Sequence, residues 1–92
     1  MKKTHILKTD PEPFQAVIDR LKKCEIRLND REFEEGDEIV LHETRFTGEQ
    51  MKQDPKAFPL QYTGRFEAFQ VTHILAGPIY GLAKGWVIMS ID

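Results

Sequence analysis

The segment Arg20-Leu21-Lys22-Lys23-Cys24-Glu25-Ile26-Arg27-Leu28-Asn29 is where the periodicity of the chain changes. Apolar residues recur at helical spacing before it, whereas apolar and polar residues alternate inside it. Because successive side chains of a strand point to opposite faces, the alternation predicts a strand from Cys24 to Asn29. We expect its apolar residues to face inward, and Glu25 and Arg27 to stand side by side on the outer face. The ordinary alternative is a solvated strand edge with a weak surface ion pair.

Lys22, Glu25 and Arg27 have the spacing Lys-x-x-Glu-x-Arg. This resembles Gly-x-Lys-x-x-Glu-x-Arg, the signature of the ASCH domain, a branch of the PUA-like superfamily, with Arg20 at the glycine position. Over most of its length the chain is also similar to a bacterial and phage family, domain of unknown function 3850. The segments that carry this similarity are His5–Lys8, Glu25–Arg31, Gly36–Asp37, Tyr62–Arg65 and Gly81–Ile91.

Composition predicts one small globular domain spanning residues 1–92. The chain has 92 residues, of which 40% are hydrophobic, and a formal net charge of −2. This length suits a single core, and no apolar run is long enough for a membrane span. Cys24 is the one cysteine, so no internal disulfide can form. We therefore expect a soluble cytoplasmic protein, with no membrane partner and no cofactor.

Charge is unevenly distributed along the chain. Residues 20–31 contain five Lys or Arg, whereas residues 32–43 contain six Asp or Glu and no Lys or Arg. If both segments are exposed, a local cationic patch can bind phosphate despite the negative total. A mixed, solubilising surface is the plainer interpretation.

The chain before the motif predicts a strand and a helix. Thr4–Lys8 predicts a strand with Ile6 inward. Asp10 is expected to cap a helix that has proline in its first turn. The apolar stripe of this helix is Phe14, Val17, Ile18 and Leu21. We expect Lys22 and Lys23 in its last turn. Because Arg20 replaces the glycine of the signature, either the helix continues to Lys23 or Arg20 joins the cationic patch.

The rest of the chain predicts further strands. They are Glu38–Thr44, Phe66–Leu75 with a bulge near Gln70, and Trp86–Ile91 with Val87, Met89 and Ile91 inward. Phe33 is expected to anchor a loop, and residues 45–60 to form an irregular segment. The fold class is α+β, mainly β, with one helix after the first strand. Closure into a barrel of five or six strands would hide the sheet edges, and the resemblance implies a PUA-like barrel.

The resemblance implies RNA or nucleotide binding. Cations can bind phosphate and aromatic rings can stack on bases. The expected binding residues are Lys22, Glu25, Arg27, Arg31, Tyr62 and Arg65. Tyr80 and Trp86 are further candidates for stacking, although each aromatic residue taken singly is more typical of a core.

Two other functions are open. Some ASCH proteins resemble amidohydrolases acting on acylated cytidine, or nucleases, which would make Lys22 and Glu25 catalytic with Glu67 as a second carboxylate. The amidohydrolase-like pattern has Thr at the position of Glu25, and a carboxylate favours the charged form of a neighbouring lysine. A module that only contacts other proteins would instead show an exposed apolar patch. We expect no metal site, because His5, His42 and His73 lie on three predicted strands without ligand spacing.

Overall fold

The computed structural model describes residues 2–92 as five strands and two helices. The elements are β1 (Thr4–Thr9), α1 (Pro11–Ile18), β2 (Cys24–Leu28), β3 (Glu38–Thr44), α2 (Gly48–Gln53), β4 (Tyr62–Ala76) and β5 (Trp86–Ile91). The predicted α+β, mainly β class is confirmed. Neither helix within residues 2–92 has the length and apolar character needed to cross a bilayer.

The strand β1 alternates as predicted but with its faces exchanged. His5, Leu7 and Thr9 are buried, whereas Ile6 is 60% exposed. The inward orientation predicted for Ile6 is therefore wrong. A period of two fixes which residues share a face, but a histidine can occupy the buried face if its ring finds a hydrogen-bond partner, and Asp37 provides one.

The helix α1 begins as predicted and ends earlier. Asp10 is its N-cap residue, although the Asp10 carboxylate accepts from the Gly48 N–H at 2.9 Å rather than from α1 itself. The helix ends at Ile18, and Leu21 is 83% exposed. Lys22 and Lys23 therefore lie outside the helix, contrary to the prediction.

Arg20 causes this early end. Its φ is +62°, in the left-handed region. The Arg20 N–H donates to the Val17 carbonyl at 3.1 Å, and the Leu21 N–H donates to the Ala16 carbonyl at 2.9 Å. These two bonds form a Schellman motif, in which the residue after the C-cap is usually glycine. Arg20 thus has the backbone conformation that glycine adopts easily, and the chain turns before Lys22.

The strand β2 also has its faces exchanged. Glu25 is 4% exposed, whereas Ile26 is 55% and Leu28 is 50% exposed. Cys24, which we predicted to be a core residue, is only half-buried, and its thiol is not part of a disulfide. The predicted inward face of Cys24, Ile26 and Leu28 is therefore wrong, and the polar residues of the motif point inward instead.

The strand β3 has the predicted bounds, with Ile39 and Leu41 fully buried. The segment after it is less irregular than predicted, because α2 lies within it. Thr47 and Gln50 cap this helix reciprocally, each side chain bonding to the backbone N–H of the other, at 3.1 and 2.9 Å. Such a capping box is readable from Thr-x-x-Gln, so the sequence contained a signal for α2.

The strands form one sheet in the order β1-β3-β4-β5-β2. The strand β5 pairs antiparallel with both β2 and β4. The pairing of β4 shifts between Val71 and His73, which leaves Thr72 as the extra residue, two positions after the bulge predicted near Gln70. The order has two ends, β1 and β2, so the sheet described by these pairings is open.

The chain forms two compact units. The first contains the residues up to His5, Lys23–Ile39 and Phe69–Asp92, and the second contains Ile6–Lys22 and Val40–Ala68. The buried apolar side chains of the first unit are Phe33, Ile39, Phe69, Val71, Val87, Met89 and Ile91. Those of the second are Leu7, Phe14, Val17 and Leu41. Burial of Phe33 and the inward set of β5 is confirmed.

Candidate nucleic-acid interface

Glu25 and Arg27 form an ion pair on the inner face of β2. The Arg27 Nε donates to the Glu25 Oε2 at 3.1 Å, and the two side chains are 26% and 5% exposed, respectively. Their partners across the ladder are Val87 for Arg27 and Met89 for Glu25, both buried. The predicted neighbours are therefore adjacent, but Glu25 is nearly buried rather than exposed. A buried carboxylate of this kind holds the guanidinium in a fixed orientation.

Lys22 belongs to the second unit, where it ends the segment Ile6–Lys22. Its backbone N–H donates to the Ala16 carbonyl at 3.1 Å, so the end of α1 fixes its backbone position. Its side chain is half-buried. The left-handed turn at Arg20, two residues before Lys22, therefore sets where the chain leaves the helix.

Arg31 is the exposed cation that follows β2. Its side chain is 46% exposed, and its Nε lies 3.9 Å from the Asp30 Oδ1. An ion pair this long between exposed groups contributes little, about 0–1 kcal/mol. Lys23, before β2, is also exposed. In the first unit, then, exposed cations lie at both ends of the strand that carries Arg27.

Arg65 lies in the second unit, where its guanidinium is held by a buried carboxylate. Its Nε and Nη2 donate to Glu43 Oε1 and Oε2 at 3.0 and 2.9 Å, a bidentate pair. The Nη2 also donates to Gln15 at 2.8 Å, and the guanidinium carbon lies 5.1 Å from the centre of the Phe14 ring. Thr63 donates to the same Glu43 carboxylate at 2.7 Å.

This network shifts the ionisation of both charged groups. The hydrogen bond from Arg65 holds the pKa of Glu43 below its usual value, despite burial, which acts in the opposite direction. The same hydrogen bond raises the pKa of Arg65. Both groups are therefore charged at neutral pH, and the donors of Arg65 named above point toward the protein.

The three candidate stacking residues differ in their surroundings. Tyr62 is 52% exposed and meets the His42 ring edge-on, with 5.8 Å between centroids. Tyr80 is 91% exposed with a φ of +49°, and Trp86 is 40% exposed opposite Leu28. Exposed aromatic side chains are thus present in both units, Tyr80 and Trp86 in the first and Tyr62, beside the His42 ring, in the second.

A buried pair that the sequence analysis did not assign joins His5 to Asp37. The His5 Nε2 lies 2.8 Å from the Asp37 Oδ2, and the two residues are 7% and 0% exposed. Asp37 also accepts the backbone N–H groups of Lys3 and Glu34, each at 3.0 Å. Burial raises the pKa of Asp37, but these hydrogen bonds outweigh it, so that the pKa lies below its usual value. The pair anchors the loop before β3, where the Phe33 ring packs against His5 at 4.7 Å.

The outer face of the β2–β5 ladder is apolar. Ile26 pairs with Ile88 and Leu28 with Trp86, and three of these four residues are at least 40% exposed. Ile88 is half-buried. This apolar face is a consequence of the inward orientation of the Glu25 and Arg27 side chains, because the residues that alternate with them on β2 must then point outward.

Comparison with known proteins identifies the family of the chain. A search of curated proteins finds no match. The family model described as "Domain of unknown function (DUF3850)" matches residues 4–91, which is nearly the whole chain and includes both members of each ion pair described above. The protein therefore belongs to the DUF3850 family.

Proposed function

We propose that this protein binds RNA or a nucleotide through the segment from Lys22 to Arg31, with Arg27 as the central phosphate contact. The observation that carries the proposal is the 3.1 Å bond from Arg27 to the nearly buried Glu25, which leaves the Arg27 side chain 26% exposed. An arginine offers a planar fork of donors that suits phosphate. A side chain that is already oriented loses less conformational freedom on binding.

The neighbouring cations add to this proposal. Lys23 and Arg31 are exposed at the two ends of β2, where their positive charges can attract a polyanion. Lys22 precedes them at the turn set by Arg20. Each cation that neutralises a phosphate releases counterions, so affinity must fall as salt rises.

Tyr62 and Arg65 have separate roles in the proposal. Tyr62 supplies an exposed ring for a base. Arg65 stays a predicted contact, but its bonds to Glu43 and Gln15 favour a role in holding the second unit together.

Binding is favoured over catalysis by the environment of Glu25. A general base must lie within hydrogen-bond reach of the proton that it removes. Glu25 is 4% exposed and its Oε2 already accepts from Arg27, so little of the carboxylate is open to a substrate. Hydrolysis of a modified nucleoside or of RNA by Lys22 and Glu25 is therefore the weaker proposal.

Fluorescence anisotropy with a labelled single-stranded RNA tests the proposal. Arg31→Ala should weaken binding and lower the slope of log affinity against log salt by about 1, as expected for one lost phosphate contact. Arg27→Lys keeps the positive charge but removes the planar fork of donors. It should therefore lower the affinity while leaving the salt slope nearly unchanged. Lys56→Ala, an exposed cation outside the segment, is the matched control. Equal affinities for all four proteins would refute the assignment of the segment.

We further propose that the domain is a cytoplasmic relative of the ASCH type with a PUA-like barrel. The positive φ of Arg20 supports this relationship, because the signature has glycine at that position. Nuclear Overhauser contacts between backbone protons of β1 and β2 would establish closure of the barrel. A fully assigned spectrum without such contacts would mean that the sheet is open in solution.

A second candidate function is protein binding through the apolar face of Ile26, Leu28, Ile88 and Trp86. Large exposed apolar patches mark interaction sites more often than isolated apolar residues do. The face predicts that the protein either self-associates or binds a partner protein. Leu28→Ser should abolish this association and leave the affinity for RNA unchanged. A strictly monomeric protein with no partner sensitive to this substitution would exclude it.

A further inference from the structure

Three aromatic rings cluster on the outer face of the second unit. His42 on β3 stacks on Phe66 of β4, with 5.1 Å between centroids and 17° between planes. It also meets Tyr62 of β4 edge-on at 5.8 Å. Phe66 is 60% and Tyr62 is 52% exposed. We call His42, Tyr62 and Phe66 the ring platform.

The alternation of the two strands separates this platform from the Glu43 network. Thr63 and Arg65 bond to Glu43, and Tyr62 and Phe66, which alternate with them along β4, contact His42 instead. Because adjacent side chains point to opposite faces, the rings occupy the face that does not carry the ion pair. Their exposure is therefore not explained by the Glu43 network.

Gly64 leaves the middle of the platform open. It lies between Tyr62 and Phe66 on β4, and no atom lies within 4 Å of the position that a Cβ would take there. A planar base can therefore approach the exposed rings of Tyr62 and Phe66 without meeting a side chain from position 64.

Arg45, an exposed cation just after β3, lies on the face opposite to the ring platform, because it is two positions from Glu43 and side chains two positions apart share a face. The Arg45 N–H donates to the Gln61 carbonyl at 2.8 Å, which places Arg45 opposite the residue before Tyr62. Arg45 is exposed, and its guanidinium has no ion-pair partner among residues 2–92. Exposed aromatic side chains on a sheet form the surface on which RNA-binding sheets stack two or three bases.

We propose that the ring platform stacks unpaired bases of a single-stranded nucleic acid. The site is distinct in its residues from the segment Lys22–Arg31, and it rests on the proposed nucleic-acid binding of that segment. Stacking tolerates every base because each has a π-face. The platform therefore adds affinity for unpaired bases without selecting a sequence.

The test compares two probes by NMR: an oligouridine, and an abasic oligomer of the same length with the same number of phosphates. The oligouridine should shift the ring resonances of His42, Tyr62 and Phe66, whereas the abasic oligomer should leave them unchanged. Both probes should shift the amides of Arg27 and Arg31 if the proposed function is correct. Shifts at Arg27 and Arg31 without ring shifts would overturn the platform and leave the proposed function standing. No shifts at Arg27 and Arg31 would reject the proposed function itself.

Variants give an independent measurement. Phe66→Leu keeps an apolar side chain of similar size and removes the ring, so affinity for oligouridine should fall roughly five- to a hundredfold, the loss of one stacked base. Affinity for the abasic oligomer should not change. Leu60→Ala is the matched control, since Leu60 is 50% exposed in the same unit but has no ring. Equal losses for both probes, or for both variants, would refute stacking. Thermal melts should match wild type, because Phe66 is 60% exposed.

Discussion

Removing the Arg27 side chain should lower the stability of the domain, because the Glu25 carboxylate is then buried without its guanidinium partner. Truncating one member of a fully buried ion pair costs about 3–5 kcal/mol. The Glu25 side chain is 5% exposed but that of Arg27 is 26% exposed, so water already reaches one partner. We therefore expect Arg27→Ala to lower the free energy of unfolding by about 3 kcal/mol, at the lower end of this range.

Glu25→Gln should cost less than Arg27→Ala. It leaves behind the more exposed member of the pair, and an amide oxygen can still accept from the Arg27 Nε, so we expect about 1–2 kcal/mol. In the double variant Glu25→Gln with Arg27→Ala no charge is buried alone. The sum of the two single losses of unfolding free energy should then exceed the loss in the double variant by about 1–2 kcal/mol, as for residues in direct contact.

Urea unfolding followed by circular dichroism measures all three variants. Arg31→Ala is the control, because an exposed arginine 3.9 Å from its neighbour should change stability by about 0.5 kcal/mol or less. A free energy of unfolding for Arg27→Ala within about 0.5 kcal/mol of wild type would refute the burial of Glu25. The same measurement on Arg27→Lys decides whether its weaker RNA binding reports a lost contact or a less stable fold.

Three further outcomes test other parts of the structure. Ile26→Asp should leave the domain folded, because Ile26 is 55% exposed. Met89→Asp, at a fully buried site, should abolish the cooperative unfolding transition. Equal melting temperatures for the two variants would reject the assignment of faces. Arg20→Gly should raise the free energy of unfolding by about 0.5–1 kcal/mol, because glycine adopts a φ near +62° without steric cost; calorimetry showing a lower melting temperature would contradict the Schellman motif. The pKa of Asp37 is lower in the folded state, so its stabilising contribution is complete above the unfolded pKa, about 4, and disappears as pH falls through the folded pKa. Asp37→Asn should therefore flatten the acid dependence of urea stability, and an unchanged pH profile would contradict this.

The sequence predicted the position of most strands and the buried face of β5, but not the buried faces of β1 and β2. In β1 and β2 the alternation was read correctly and its orientation was wrong. Hydrophobicity alone favours Ile6 and Ile26 inside. The orientation is instead decided by the hydrogen-bond partners that allow the polar residues to be buried, Asp37 for His5 and Arg27 for Glu25. The first of these partners lies 32 residues away along the chain, so a local pattern cannot reveal it.

Backbone conformation explains a second difference. A left-handed arginine is uncommon, since a Cβ makes this region costly, so the stripe that includes Leu21 predicts a longer helix than α1. The capping box of α2 was readable, whereas residues 45–60 as a whole show no apolar period. The ring platform also escaped prediction, because His42 and Phe66 are 24 positions apart and only the β3–β4 neighbourhood brings them together.

The most direct test of the proposed function is an amide chemical-shift titration of the isotopically labelled protein with short single-stranded RNA at two salt concentrations. Phosphate contacts weaken as salt rises, so we expect shifts in Lys22–Arg31, largest at Arg27 and smaller at the higher salt. Acetylated cytidine added alone should give no product signals. Shifts absent from this segment, or independent of salt, would contradict RNA binding through Arg27, and product formed from the nucleoside would make the protein an enzyme.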